Sequence, residues 1–125
     1  MATPNIVGVT TINGLTTFVA ISSANTVILA NAAASSSCIK INTIIVSNVD
    51  GANACDLTLS YNTSSGGAGT SFRIVNTLSV PADASAIVVD KNTQIYLNED
   101  RSIVAFASTS NDLEALISYE VIASG

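Results

Sequence analysis

Apolar and polar side chains alternate with a period of two along most of this chain. Leu57, Leu59 and Tyr61 are separated by polar residues, and residues 115–121 repeat the pattern. Such alternation places one face of a β-strand in a core and leaves the other face in solvent. No segment of about ten residues sustains the helical period. These observations predict an all-β protein.

Nine segments are predicted to be strands, either from this alternation or from their content of β-branched residues. Turn-forming Gly, Pro, Asn, Asp and Ser separate them. Short strands with turns roughly every 8–12 residues are typical of a single antiparallel β-sandwich, either jelly-roll-like or immunoglobulin-like. The predicted strands are residues 16–21, 26–30, 38–49, 55–61, 72–80, 86–89, 94–97, 102–108 and 115–121.

The composition fits one self-supporting domain. The chain has 125 residues, of which 48% are apolar and only 10% are charged. A single hydrophobic core is expected at this size, and disorder is excluded because it requires low hydrophobicity and high net charge. We expect residues 15–125 to form the β-sandwich and residues 1–14 to form an extended N-terminal arm.

The first third of the chain is uncharged, since its first charged side chain is Lys40. Residues 5–13 are β-prone and are either the first strand of the domain or an arm that another chain covers. Monomers normally protect exposed edge strands with Lys or Pro, and only Pro4 is present here. We therefore predict a homo-oligomer to whose interface this segment contributes. Its apolar members are Ile6, Val7, Val9 and Ile12.

The two cysteines are predicted to be free thiols. Cys38 begins the long third strand, and Cys55 begins the next strand, which is expected to return beside it in a hairpin. In that hairpin the two residues are separated by roughly 33 Å. A disulfide needs Cα atoms within about 7 Å. We expect two buried free thiols, as in a protein made in a reducing cytosol.

The chain lacks the groups on which most catalytic and metal sites depend. It has no histidine, so the usual general base and the commonest metal ligand are missing. Asp50, Asn53 and Asp56 offer oxygen ligands, but their pattern is that of a hairpin turn. The glycine-rich segment 66–69 lacks the Lys and the helix of a phosphate loop and is expected to be a flexible hairpin tip. We predict no catalytic residue, no cofactor, no metal and no enzyme activity.

The charge balance restricts the kinds of partner. The net charge of −5 disfavours binding to nucleic acid and to anionic membranes. No run of about 18 apolar residues is present that would span a membrane. Phe72 and Arg73 are candidate protein contacts, because aromatic residues and Arg are enriched at interface hot spots. The alternative is that Arg73 pairs with a neighbouring carboxylate.

Four blocks of the sequence contain a Ser-Asn strand end, a Val-Pro-Ala turn, a Tyr-Leu-Asn-Glu-Asp turn and a terminal Ser-Tyr-Glu strand. In these blocks the chain resembles small virion structural proteins of tailed bacteriophages, cyanophages in particular. The resemblance covers roughly residues 18–122 and leaves residues 1–14 outside. The blocks are Ile39–Asn48, Leu78–Ser85, Ile95–Asp100 and Ile117–Val121.

The resemblance implies a non-enzymatic structural protein of the virion, made in the host cytoplasm. We expect a capsid decoration or cement protein that binds the major capsid protein as a homo-oligomer, with a trimer favoured. A neck or tail component is the nearest alternative. Two others are a carbohydrate- or receptor-binding tail module, whose platform would use Tyr61, Tyr96 or Tyr119, and a pilus-like subunit joined by strand donation.

Overall fold

The computed structural model describes residues 6–123, which contain nine β-strands and no helix. The strands form two antiparallel sheets packed face to face, which confirms the predicted β-sandwich. All nine predicted strands are present, and the largest difference is at the start of the first one. The strands are β1 Thr11–Ile21, β2 Thr26–Asn31, β3 Ser37–Asn48, β4 Cys55–Asn62, β5 Ser71–Val80, β6 Ser85–Val89, β7 Ile95–Leu97, β8 Arg101–Ala107 and β9 Leu113–Ala123.

The strand order is that of a jelly roll. The five-stranded sheet runs β1-β9-β3-β6, and the short strand β7 also pairs with β3. The four-stranded sheet runs β2-β8-β4-β5. Without β7, the remaining strands form the double-sheet arrangement that defines the jelly roll. Of the two sandwich types predicted, the jelly roll is therefore the correct one.

The hairpin predicted between the third and fourth strands is wrong. Strand β3 pairs with β6, β7 and β9, whereas β4 pairs with β5 and β8 in the other sheet. Residues 49–54 connect the two sheets. When two strands that each have one apolar face lie in opposite sheets, their apolar faces cover each other. Cys38 and Cys55 are nevertheless free and buried, as predicted.

The core lies between the sheets and consists mainly of Ile, Leu and Val. In β4, Leu57 and Leu59 point inward and are fully buried, as their alternation predicts. Burial of each such side chain stabilises the fold by roughly 1.5–3 kcal/mol. Apolar burial, rather than a disulfide, therefore holds the sheets together. The largest fully buried side chains include Ile21, Ile41, Ile44, Leu57, Leu59, Leu97, Ile103, Leu113 and Ile117.

Three buried asparagines occupy the last positions of β2, β3 and β4. The Asn31 side-chain amide donates to the carbonyl of Leu97 at 3.0 Å, and the Asn48 amide donates to the carbonyl of Val80 at 2.9 Å. Each of these bonds joins one sheet to the other. Asn62 instead organises the loop that follows it. At each of these positions, a buried side-chain amide forms hydrogen bonds with backbone groups that strand pairing leaves without a partner.

The glycine-rich segment joins β4 to β5 as predicted, but it is held in place rather than left as a flexible tip. The Asn62 amide donates to the carbonyls of Gly67 and Gly69, and its oxygen accepts from the backbone N–H groups of Ser64 and Gly69. Gly67 has φ +80°, and a Cβ there would lie 2.7 Å from Cγ2 of Val27. The loop thus lies against the outward face of the four-stranded sheet.

Asn62→Ala is expected to destabilise the protein by about 3 kcal/mol, because it leaves several loop groups without a partner. Urea unfolding followed by circular dichroism measures this change. The matched control is Asn92→Ala, which alters an exposed turn side chain and should change stability by less than about 0.5 kcal/mol. Equal effects of the two changes would contradict the role of Asn62.

Candidate interaction surface

Strand β1 is the free edge of the five-stranded sheet. It pairs with β9 without a register break, from Thr11 opposite Ala123 to Ile21 opposite Leu113. Within the described residues no strand lies on its other side. It also contains no charged residue. The result is a long regular edge of the kind that natural proteins usually protect.

The predicted N-terminal arm is only partly a strand. Residues 6–10 form turns and a bend, and β1 begins at Thr11, inside the segment 5–13 that was predicted to be β-prone. The predicted boundary between residues 14 and 15 falls within β1. Residues 1–5 of the predicted arm, including Pro4, lie outside the described residues, as do residues 124–125 of the predicted domain.

The other sheet edges are irregular or short. Strand β2 has a register break against β8, β6 has one against β3, and β5 has two against β4. Thr77 in β5 also adopts a left-handed conformation with φ 49°. Strand β7 has three residues. Bulges and short strands are devices that prevent strand addition, so among the described strands β1 is the edge best suited to pairing.

Four large apolar side chains form a row across the outward face of the five-stranded sheet, and we call them the outer row. Phe18 on β1 lies opposite Leu116 on β9, Leu116 lies opposite Ile45 on β3, and Ile45 lies opposite Ile87 on β6. Phe18 is 78% exposed, Ile87 65% and Leu116 46%. The outer row is an apolar surface that folding leaves in solvent.

Polar or small side chains lie on both sides of the outer row. A shallow depression beside Phe18 reaches Glu114 in the next row. Further along the sheet, Lys40 and Glu120 form an ion pair of 4.0 Å, which at a solvent-exposed site contributes little stability. An apolar centre with a polar rim is the usual anatomy of a protein interface. The flanking residues are Ala20, Glu114, Ser47 and Ser85 on one side and Thr16, Ser118 and Thr43 on the other.

The predicted contact residues fall in separate regions. Ile12 lies on the outward face of β1, where it is opposite Ile122 and 60% exposed. Phe72 and Arg73 lie on β5, in the other sheet, and the Arg73 Nη1 donates to the carbonyl of Ser71. The remaining predicted residues precede β1. They are Ile6 and Val7, which are exposed, and Val9, which is half-buried.

None of the four outer-row residues was predicted as a contact residue from the sequence. Leu116 lies at a position that alternates with the buried Ala115 and Ile117, so the pattern marks it as outward-facing. A large apolar residue at such a position is the signal that could have identified it. The alignment of Leu116 with Ile45 and Ile87 depends on strand register, which the sequence pattern does not specify.

The three tyrosines do not form a common platform. The Tyr61 hydroxyl donates to the carbonyl of Tyr96 and accepts from the N–H of Asn98, so it links the sheets. Tyr119 packs against the core. Tyr96 is opposite Lys40 on the outward face and is 43% exposed. A stacking surface built from all three side chains is therefore not present.

Asp50 and Asn53 lie in a turn, but this turn connects the two sheets and is not the predicted hairpin turn, and Asp56 lies on β4. The Asp50 carboxylate accepts from the N–H groups of Ala52 and Asn53. These hydrogen bonds lower the pKa of Asp50, and the one from Ala52 has the largest effect. Desolvation and the nearby charge of Asp50 raise the pKa of Asp112. Within residues 6–123, no three His, Cys, Asp or Glu side chains are grouped so that they could hold a metal ion.

Both cysteine side chains are inaccessible. Cys38 is 2% exposed and Cys55 is 1% exposed. The Cys55 Sγ lies 3.4 Å from the Ser108 hydroxyl, and burial raises the pKa of Cys38. The raised pKa reduces the thiolate fraction of Cys38, and the burial of both side chains disfavours reaction with another subunit.

Comparison with known proteins identifies the fold. No protein-family model and no curated protein sequence matches the chain. A protein of the Bacillus endospore appendages, a novel family of disulfide-linked pili, has a TM-score of 0.55 and 12% identity over 92% of this chain and 88% of that chain. A chain of the T13 viral particle of IBDV has a TM-score of 0.50 and 8% identity over 91% of this chain but 31% of that chain.

At such low identity the likeness is one of fold. The chain therefore has a jelly-roll fold that also occurs in pilus proteins and in virus particles. The solved structures include nothing specific to tailed bacteriophages, and that part of the sequence resemblance stays a prediction. In the described residues there is also no helix long and apolar enough to cross a membrane.

Thiol labelling tests the burial of the cysteines. With a chromogenic thiol reagent, the folded protein is expected to react at a small fraction of the rate of free cysteine, because both side chains are covered. In denaturant, both thiols should react at once. Rapid labelling of the folded protein would show that at least one thiol is accessible.

Asp112→Asn is expected to stabilise the protein near neutral pH. A raised folded-state pKa means that ionised Asp112 opposes folding above that pKa, and this opposition disappears as the pH falls and the group is protonated. The gain in melting temperature should therefore be present at about pH 7 and shrink towards about pH 3. Asp56→Asn, at an exposed position of β4, is the control, and an equal gain there would contradict the pairing of Asp112 with Asp50.

Proposed function

We propose that this protein is a non-enzymatic structural subunit of a bacteriophage virion, where it decorates the capsid by docking the outer row on the major capsid protein. The observation that carries the proposal is the outer row itself, an exposed apolar strip with a polar rim on a rigid sheet. Contiguous exposed apolar surface on a soluble domain marks an interaction site.

The side chains around the outer row support a protein partner. Thr, Ser and Asn dominate the polar surface, and only 10% of the residues of the chain are charged. Hydroxyl and amide groups lose less hydration energy than charged groups when a partner covers them. Such a surface suits a permanent contact in a particle, where many copies must remain bound.

The non-enzymatic part of the proposal rests on the chemistry of the side chains. Serine and threonine need a base to act as nucleophiles, and the chain has no histidine. Lys40 lies beside Glu120, and both cysteines are buried. No catalytic or cofactor-binding role is proposed for any residue.

The phage assignment rests on the sequence blocks that resemble virion proteins of tailed phages. Within that class, capsid decoration is the proposal, and a neck or tail position is the alternative. The protein would be made in the host cytoplasm and would join the virion during assembly. The jelly-roll fold shared with a chain of a viral particle is compatible with this role.

A second candidate is a fibre subunit of the pilus type. The observation in its favour is that the similarity to the endospore appendage protein extends over nearly the whole of both chains. That protein belongs to disulfide-linked pili, whereas Cys38 and Cys55 are buried here. A fibre built from this chain would need a non-covalent contact, and purified protein would form filaments visible by electron microscopy.

Co-expression with the major capsid protein of the same phage genome tests the decoration role. The protein is expected to co-sediment with capsids. Ile87→Lys should reduce the bound amount about tenfold, because it places a charge in the apolar centre of the contact. Ser85→Lys is the matched control, since Ser85 lies on the same strand and face but in the polar rim. Equal loss with both variants, or no co-sedimentation of the unaltered protein, would overturn the proposal.

A further inference from the structure

We propose that β1 is a strand-addition edge and that its partner is β1 of a second copy of this chain, paired antiparallel about a two-fold axis. The two five-stranded sheets would then form one continuous sheet across the dimer. The inference deepens the proposed function, because it names the contact between subunits. It does not depend on the capsid.

The backbone of β1 is ready for this pairing. All eleven residues are in strand conformation and follow β9 without a bulge. The carbonyl and amide groups on the other side of an edge strand are available to a new strand. The irregular edges β2, β5 and β6 would each force a bulge on the strand that was added. The geometry therefore selects β1 among the described edges.

The apolar side chains of β1 are arranged symmetrically. Ile12 and Phe18 point outward and are each three residues from Leu15, which points inward. Their exposed fractions are 60%, 78% and 46%. A two-fold axis at Leu15 places Leu15 opposite its own copy and Ile12 opposite Phe18 of the other subunit. Aromatic and β-branched residues opposite each other are a favourable cross-strand pair.

The small residues of β1 agree with the same register. Gly14 falls opposite Thr16 of the second copy, and Asn13 falls opposite Thr17. A Cβ added to Gly14 would meet nothing within 4 Å, so the space beside it is open. Every apolar side chain of β1 that is large and exposed gains an apolar partner only when the axis passes through Leu15.

Charge distribution favours a second copy over a charged partner. The chain carries a net charge of −5, but β1 has no charged residue. The nearest charges on the outward face are Glu114 and Glu120 on β9. Corresponding carboxylates of two subunits would be at least three strand spacings apart, about 14 Å, and therefore beyond the screening length of about 8 Å at physiological ionic strength. Two acidic subunits can therefore meet here with little repulsion.

Cysteine cross-linking tests both the contact and its register. Leu15→Cys is expected to give a covalent dimer under mild oxidation, because opposite residues in an antiparallel pair have Cα atoms about 4.5–5.5 Å apart. Phe18→Cys alone should give none, because its copy would be about 20 Å away. A mixture of Ile12→Cys and Phe18→Cys proteins should give a dimer that contains one of each. The native thiols are buried and should not interfere.

Light scattering on the unaltered protein provides the second measurement, and a mass of twice the chain is expected. Phe18→Lys should abolish the dimer, whereas Ile87→Lys, at the opposite end of the outer row, should retain it. Efficient cross-linking of Phe18→Cys alone, a monomer at high concentration, or the trimer favoured by the resemblance would overturn the proposal. Failure of capsid docking would leave these results unaffected, so the two proposals are tested separately.

Discussion

The fold depends on how the loops between its strands satisfy their backbone hydrogen-bonding groups. In a jelly roll, several connections pass from one sheet to the other, where no neighbouring strand can pair with them. Here the amides of Asn31 and Asn48 form hydrogen bonds across the gap, and the Tyr61 hydroxyl adds a third bridge between the sheets. Because these bonds close the ends of the sandwich, the inward-facing Ile, Leu and Val side chains are excluded from water. The polar side chains thus close the ends of the sandwich, and the apolar core lies between them.

These hydrogen bonds join the two sheets but do not cover their outward faces. The four-stranded sheet is covered on its outward side by the loop that Asn62 organises, next to Val27 and Val104. Within residues 6–123 no such loop covers the outer row of the five-stranded sheet, and Phe18 and Ile87 remain exposed there. The two outward faces of the sandwich therefore differ: the loop lies over part of one, whereas the apolar outer row on the other stays exposed.

Strand positions were predictable because alternation is a local property. The residues of β4 and β9 carry it plainly, and the structure has both strands where the pattern places them. Sheet membership is not local, since β3 and β4 have equally apolar faces and the pattern permits either a hairpin or opposite sheets. The outer row was unpredictable for the same reason: Ile45 and Leu116 become neighbours only through a register that passes a bulge after Ile41. Ile12 was named as a contact residue because it lies in an uncharged segment, a feature that can be seen without knowing the register, and that contact stays a prediction.

Of the sequence blocks that resemble phage virion proteins, two lie within β3 and β9, and the other two contain the turns before β6 and β8. Asn48 ends β3, and Asp83 and Asp100 adopt left-handed conformations with φ 58° and 57°. Asp tolerates this conformation better than most residues, so its position in a turn is restricted by the backbone. The resemblance therefore follows residues that build the scaffold, whereas Ile12 and Leu15 on the β1 edge precede the region it covers.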